Sequence, residues 1–298
     1  METIKKVIAG KTIYYQVYNG TNQICEYMES LKGKNQFYKN RDPDFWEVNE
    51  QAKKGVDGMG LESKEEGVKY LKYGYDKELQ KIKERFAMKN KRQEGMVKTA
   101  RMVNSVVGEV VIVPHAIMGI PICMQRRVNV VKKAKVIRLV VLTGFPWHVK
   151  DKEIAEAGAR ITAAVKEVER QGNRMEIYVG EISQSNVNST DGLFCITKVK
   201  SADQPFDLKR VGFAMCSPAM ARWLMMSWME RAEGIPDAGY GHGQAAVRSW
   251  GGEIVSQIAK EVMGRNSVVL VQDGHWNIEP RDIAERILKE ANETNGER

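Results

Sequence analysis

Cysteine is scarce in this chain: four among 298 residues, at Cys25, Cys123, Cys195 and Cys216, with no C-x-x-C pair. That excludes a cysteine zinc ribbon. Together with a start, METIKKVIAG, too short and too mixed for a signal peptide, it leads us to expect free thiols in a reducing cytoplasm. Histidine is as sparse. His115, His148, His242 and His275 never stand at i, i+4, which excludes a helical H-E-x-x-H zinc pair. No run approaches ~18 consecutive apolar residues, so neither a membrane span nor a membrane partner is expected. The chain has no G-x-x-x-x-G-K-[ST] phosphate loop and no G-x-S-x-G nucleophile elbow. It has no internal repeat and no low-complexity segment.

What is present is an ordinary globular mixture, 43% hydrophobic and 28% charged, long enough for one large domain or two smaller ones. The net charge of +8 and a pI near 9.1 favour contact with polyanions or acidic surfaces.

Residues 11–18, KTIYYQVY, read as a strand, and 63–73 as a short helix with Ser63 and Glu66 as a capping box. A second, charged helix is expected from Asp76 to about Asn90. Residues 103–125, apolar and broken by Gly and Pro, suggest a buried strand near 109–113 and a buried loop. Arg126, Arg127, Lys132, Lys133, Lys135 and Arg138 follow with no acid between them. From there strands and helices alternate: a strand at 136–142, a helix at 151–170 capped by Asp151, strands at 175–182, 193–200 and 208–214. A helix from Ser217-Pro218 to about Ala232 comes next, then a helical stretch at 244–263 crossed by Gly251-Gly252. A strand at 267–271 and a last helix from Pro280 end the pattern. Alternation of this kind implies an α/β fold, a three-layer, mostly parallel sheet covered on both faces, over 136–298. The preceding segment, 1–135, reads as an irregular α+β region, a separate domain or an elaboration of the same sheet.

Ligands in α/β proteins sit where strands end at their carboxyl edge. Four residues are candidates there: Thr143 and His148 after one strand, Asp273 and His275 after another. His148, Asp273 and His275 together could bind a metal or do acid–base work, and packed loop residues look the same in sequence. The loop at 183–191 is rich in oxygen ligands and equally rich in turn residues. Gly239-Tyr240-Gly241-His242-Gly243 follows no strand, so it does not make a dinucleotide fingerprint. In SPAMARWLMMSWMERAE, apolar residues wrap most of the helix. The first reading is a fully buried central helix; the alternative is that Trp223, Met226, Trp228 and Met229 present a subunit or partner interface on one side. Lys81, Arg85, Arg126, Arg127, Lys132 and Lys133 are the candidate nucleic-acid contacts, although interleaved acids in the charged helix also suit a solvated face.

The order of elements at 137–182, then SPAMARWLMMSW, then VVLVQDGHW and a final helix, resembles the von Willebrand factor A-like domain. With GLESKEEGVKYLKYGY and VPHAIMGIPICM ahead of it, the chain is similar to a family of bacteriophage proteins carrying a degenerate version of that domain. The resemblance implies a Rossmann-like scaffold whose relatives mostly bind proteins, in the cytoplasm of a bacterial host. A-like domains hold a divalent ion on an Asp-x-Ser-x-Ser loop after the first strand. Here Leu142-Thr143-Gly144-Phe145-Pro146 stands in that place, so no metal and no cofactor are expected. The expectation is a non-enzymatic protein that self-assembles into a homo-oligomer or binds a partner protein, with nucleic-acid binding as the alternative.

Overall fold

Residues 136–142, VIRLVVL, are apolar almost throughout because both faces of this strand are covered. Leu139 and Val141 point into one core cluster and Val140 and Leu142 into the other, and each such side chain taken fully from water contributes about 1.5–3 kcal/mol. The computed structural model describes residues 2–30, 61, 64–74, 97–132, 134–145, 149–185, 189–225, 228–229, 232–236, 244–272 and 278–296.

The described elements run β1 (Ile4–Ile8), β2 (Lys11–Tyr18), α1 (Thr21–Ser30), α2 (Lys64–Tyr73), β3 (Val97–Ser105), β4 (Val110–Val111), α3 (Val113–Ile117), β5 (Met124–Lys132) and β6 (Val136–Leu142). Then come α4 (Asp151–Arg170), β7 (Arg174–Gln184), β8 (Asp191–Lys200), α5 (Leu208–Cys216) and a π-helix (Met220–Met225). The chain continues with β9 (Gln244–Ala245), α6 (Ala246–Trp250), α7 (Gly252–Met263), β10 (Val268–Val271) and α8 (Pro280–Gly296). The expected strand at 136–142 and helix at 151–170 keep their bounds. The capping residue shifts by one: Lys150 caps α4, its N–H donating to the Glu153 carboxylate, and Asp151 is the first helical residue. The charged helix expected at 76–90 lies outside the described residues.

The main sheet has the order β1-β2-β8-β7-β6-β10, with β9 pairing on β7. It is mixed. β2–β8, β7–β6 and β6–β10 are parallel, while β1–β2 and β7–β8 are antiparallel. The expected mostly parallel order is met along β7-β6-β10 and β2-β8, and the antiparallel β7–β8 pair makes the sheet mixed. Only about six residues join the two strands, and a parallel crossover needs a dozen or more. The strand expected at 208–214 is helix α5. The Asp207 carboxylate accepts from the N–H groups of Lys209 and Arg210 and starts it. Gly251, at φ +84°, splits the helical stretch at 244–263 into α6 and α7.

Helices cover both faces. α1, α2, α4, α5, the π-helix and α8 share the larger cluster with one face, and α6 and α7 cover the other. The helices α4 and α5 meet closely enough that a Cβ on Gly158 would come within 2.0 Å of the Met215 carbonyl oxygen. The division expected at 135/136 does not separate two cores. Strand β2 pairs with β8 inside the main sheet, and Tyr18, Ile24, Met28 and Leu71 lie in the same cluster as Leu139 and Ile161.

What segment 1–135 adds separately is a small sheet, β3-β5-β4. β3 and β5 form a long antiparallel ribbon, the arm, in which Val97 faces Lys132 and Ser105 faces Met124. Its end, residues 106–122, corrects the expectation of a buried strand and loop. Val106, Val107, Val113, Ile117 and Met118 are each more than half exposed.

Candidate functional site

The pairing register builds one row at the carboxyl edge. Leu142 of β6 stands beside Gly180 of β7 and Val271 of β10. The next residues, Thr143, Glu181 and Gln272, therefore lie side by side across three strands. Backbone bonds hold the row: Thr143 N–H donates to the Gly180 carbonyl at 2.8 Å, and Gln272 N–H to the Leu142 carbonyl at 2.8 Å. Strand alternation turns all three toward the face covered by α4 and the π-helix, because Val141, Val179 and Leu270, two residues back on each strand, point into that cluster.

Glu181 is buried. One carboxylate oxygen accepts from Ser183 Oγ at 2.9 Å, and the other has no hydrogen-bond partner among the described residues. Burial pushes its carboxyl up to about 7, against the Ser183 hydrogen bond and the positive charge of Arg222, which act the other way. Gln272 is fully buried, and neither of its amide atoms has a partner among the described residues. Arg222 comes from the π-helix, a form that recurs at functional sites. Its guanidinium donates to Asp151 at 3.2 Å and to the Val149 carbonyl at 2.6 Å, tying the π-helix to the start of α4.

Of the residues expected here, Thr143 is in the row, buried, with its hydroxyl 3.4 Å from the Gly180 carbonyl. His148, Asp273 and His275 lie outside the described residues, as do Gly239 to Gly243. Ser183 belongs to β7. Ser185 and Ser189 bond each other at 2.8 Å across the β7–β8 connection, as turn residues do. Glu181, Arg222 and Gln272 escaped sequence reasoning. Their one signal is a lone polar residue inside an apolar run. Glu181 is the one carboxylate of the three-residue row, and no group of three His, Cys, Asp or Glu suited to a metal occurs among the described residues.

The interface residues fare differently. Trp228 and Met229 are fully buried within the single chain. Trp228 Nε1 donates to Gln16 Oε1 at 2.7 Å and to Tyr18 Oη at 3.0 Å, and Tyr18 Oη donates to Gln16. Trp228 thereby ties the α/β body to its own N-terminal strand, and Met229 packs in the same core. This agrees with the reading of a buried central helix and corrects the interface reading of both residues. The side chains of Trp223 and Met226 lie outside the described residues. An open cleft of about 120 Å³ includes Lys198, Lys200 and Arg210, but each cation already holds an acid: Glu176 at 3.0 Å, Glu169 at 2.7 Å and Asp207 at 3.7 Å.

Among the candidate nucleic-acid contacts, Arg126 and Arg127 are exposed on β5. Lys132 ends that strand, with its side chain outside the described residues, and Lys81, Arg85 and Lys133 lie outside them altogether. The basic run from Arg126 to Arg138 is divided by the fold. Lys135 donates to the Ala291 carbonyl and Asn292, and Arg138 to Glu176 and the Met263 carbonyl. What remains on the arm, residues 97–132, is Lys98, Arg101, Arg126, Arg127 and Lys132 against Glu109 alone.

A family model described as "Domain of unknown function (DUF7192)" matches residues 3–291, arm and body together. The chain belongs to that family. No curated protein and no solved structure matches this DUF7192 chain. None of its helices among the described residues is long and apolar enough to cross a membrane.

Proposed function

We propose that this DUF7192 protein works by docking rather than turnover, as a phage-type, non-enzymatic protein whose body is a three-layer, von Willebrand factor A-like scaffold and whose arm makes the contact. Self-assembly and partner capture are both uses of such an arm. One observation carries the proposal: between Val106 and Ile122 the arm ends in a run of large apolar side chains that are 37–81% exposed. Exposed apolar surface gathered at one place beyond a few hundred Å² marks an interaction site rather than an ordinary monomer surface. The test is light scattering after size exclusion. Without its partner the wild-type tip drives association above the 33.7 kDa of one chain, and Ile117→Asp with Met118→Asp returns the mass to the monomer. Both side chains are largely exposed, so folding stability changes by less than about 0.5 kcal/mol. A wild-type mass at 33.7 kDa, with equal behaviour of the double variant in every binding assay, overturns the proposal.

The exposed Arg126 and Arg127 favour a second reading, nucleic-acid binding through the arm. It predicts affinity for a single-stranded oligonucleotide that falls steeply with salt and is lost in Arg126→Glu with Arg127→Glu. Binding indifferent to salt or to those changes refutes it.

A further inference from the structure

The arm has a design finer than an exposed patch. Consecutive residues of an extended chain point to opposite faces, yet Val106 and Val107 are 64% and 76% exposed, and Val110 and Val111 are both 49% exposed. The tip is therefore apolar on both faces, with the exposed Glu109 as its one charged side chain. A flat partner covers one side of such a tip; a medium or a socket covers all of it. The open cleft of the body is lined by lysine, arginine and amide side chains and is no socket for it.

The tip also uses up its own backbone. Glu109 N–H donates to the Gln125 carbonyl at 2.7 Å and Ile112 N–H to the Cys123 carbonyl at 2.7 Å. The N–H groups of Ala116, Met118, Gly119 and Ile120 bond to carbonyls within 112–116, at 2.9–3.2 Å. The His115 ring nitrogen Nδ1 lies 3.0 Å from the Ile122 carbonyl oxygen. Pro114 and Pro121 have no N–H to satisfy. Backbone groups paired in this way leave water at little cost, which is the condition for entering an apolar medium.

Below the tip the chemistry changes at once. Arg126 and Arg127 are exposed, two and three residues along β5 from Met124, about 7–10 Å at the usual rise per residue. Being consecutive, they stand on opposite faces of the ribbon and form a collar. Lys98, Arg101 and Lys132 continue the positive charge along the shaft sequence. The arm thus carries a net +4, half of the chain's +8.

From this juxtaposition we infer that the arm's partner is an anionic lipid surface: the tip 106–122 enters the headgroup–acyl boundary and Arg126 and Arg127 sit at the level of the lipid phosphates. Interfacial insertion buries apolar surface ~5–10 Å deep, a depth of the same order as the cap above the collar. Like charge on the collars weakens a tip-to-tip pair of chains at low salt, whereas an anionic surface neutralises that charge and is the stronger partner. A nucleic-acid groove reads donors and acceptors, and the side chains of this tip supply almost none. This contact is peripheral and needs no spanning helix. The inference rests on the docking role of the arm proposed above.

The experiment is co-sedimentation of the full chain with vesicles of two parts phosphatidylcholine to one part phosphatidylserine, and with phosphatidylcholine alone, at low and high salt. Binding is expected on the anionic vesicles, and to weaken with salt. It falls at least tenfold in Ile117→Asp/Met118→Asp and in the uncharged control Ile117→Ser/Met118→Ser. It falls about 30-fold or more in Arg126→Glu/Arg127→Glu, because each cation near an anionic surface contributes a factor of about five. No binding to either vesicle overturns the lipid assignment. So does equal binding to both that ignores the arginine changes. If the tip variants lower the solution mass or an oligonucleotide affinity while no vesicle is bound, docking stands and the lipid surface falls. If they change nothing in any of the three assays, both fall.

Discussion

Replacing Glu181 by Gln stabilises this protein at pH 8 and does so far less at pH 5. The carboxyl is buried on β7, holds one hydrogen bond from Ser183, and is raised from the ordinary 4.5 to about 7. Between those values the folded chain keeps a proton that the unfolded chain has released. Stability from this group is therefore complete below about pH 4.5, declines as pH rises to about 7, and is level above. At ~1.4 kcal/mol per pH unit the loss is about 3 kcal/mol. Glutamine keeps the shape and the bond from Ser183, and needs no charge to be buried at any pH. Urea denaturation of both proteins at pH 5, 6, 7 and 8 gives the difference directly. The gap between variant and wild type widens from under about 1 kcal/mol at pH 5 to about 3 kcal/mol at pH 8. A gap that is constant with pH, or that closes as pH rises, refutes the physical account of the edge, because it would mean that the positive charge of Arg222 outweighs desolvation.

Trp228→Phe removes a donor shared by Gln16 and Tyr18 and part of a fully buried ring; it costs about 2–4 kcal/mol in urea denaturation, and a loss below about 1 kcal/mol would remove Trp228 as the anchor of the N-terminal strand. Gly158→Ala sets a methyl against the Met215 carbonyl at 2.0 Å, so α4 and α5 must separate; soluble yield and melting temperature fall together, and a variant that melts with the wild type shows the helices lie further apart than described.

Much of the body is legible in the sequence because its strands are covered on both faces and its helices on one. β6 is a continuous apolar run and α4 carries apolar residues at helical spacing, and both keep the bounds read from the sequence. Segment 208–214 reads wrongly as a strand because LKRVGFA suits either period at its apolar positions; Asp207, a good cap, is the cue that decides for helix. The direction of β8 is legible too, in the shortness of the connection from β7, once loop length is weighed against alternation. The arm defeats such reasoning for a different reason. Apolar residues ordinarily signal burial, and nothing in 103–125 distinguishes a core strand from a tip meant for another surface. Thr143, Glu181 and Gln272 come from the ends of three strands separated by whole helices and strands of sequence, so no spacing announces them. Their neighbourhood exists only after β6 has paired with both β7 and β10.

The position of β2 also sets an order of events during synthesis. Its parallel partner is β8, and Thr12 meets Asp191, which is made only after most of the sheet's other strands. At ~5–20 residues per second a ribosome needs roughly 10–40 s to cover that stretch. During that interval the β1–β2 hairpin has one long edge without its neighbour, and Ile13 and Tyr18 have no core to enter. The sheet closes from the C-terminal half back onto the first strands made, so the N-terminal hairpin is the part of this nascent chain that most needs a chaperone.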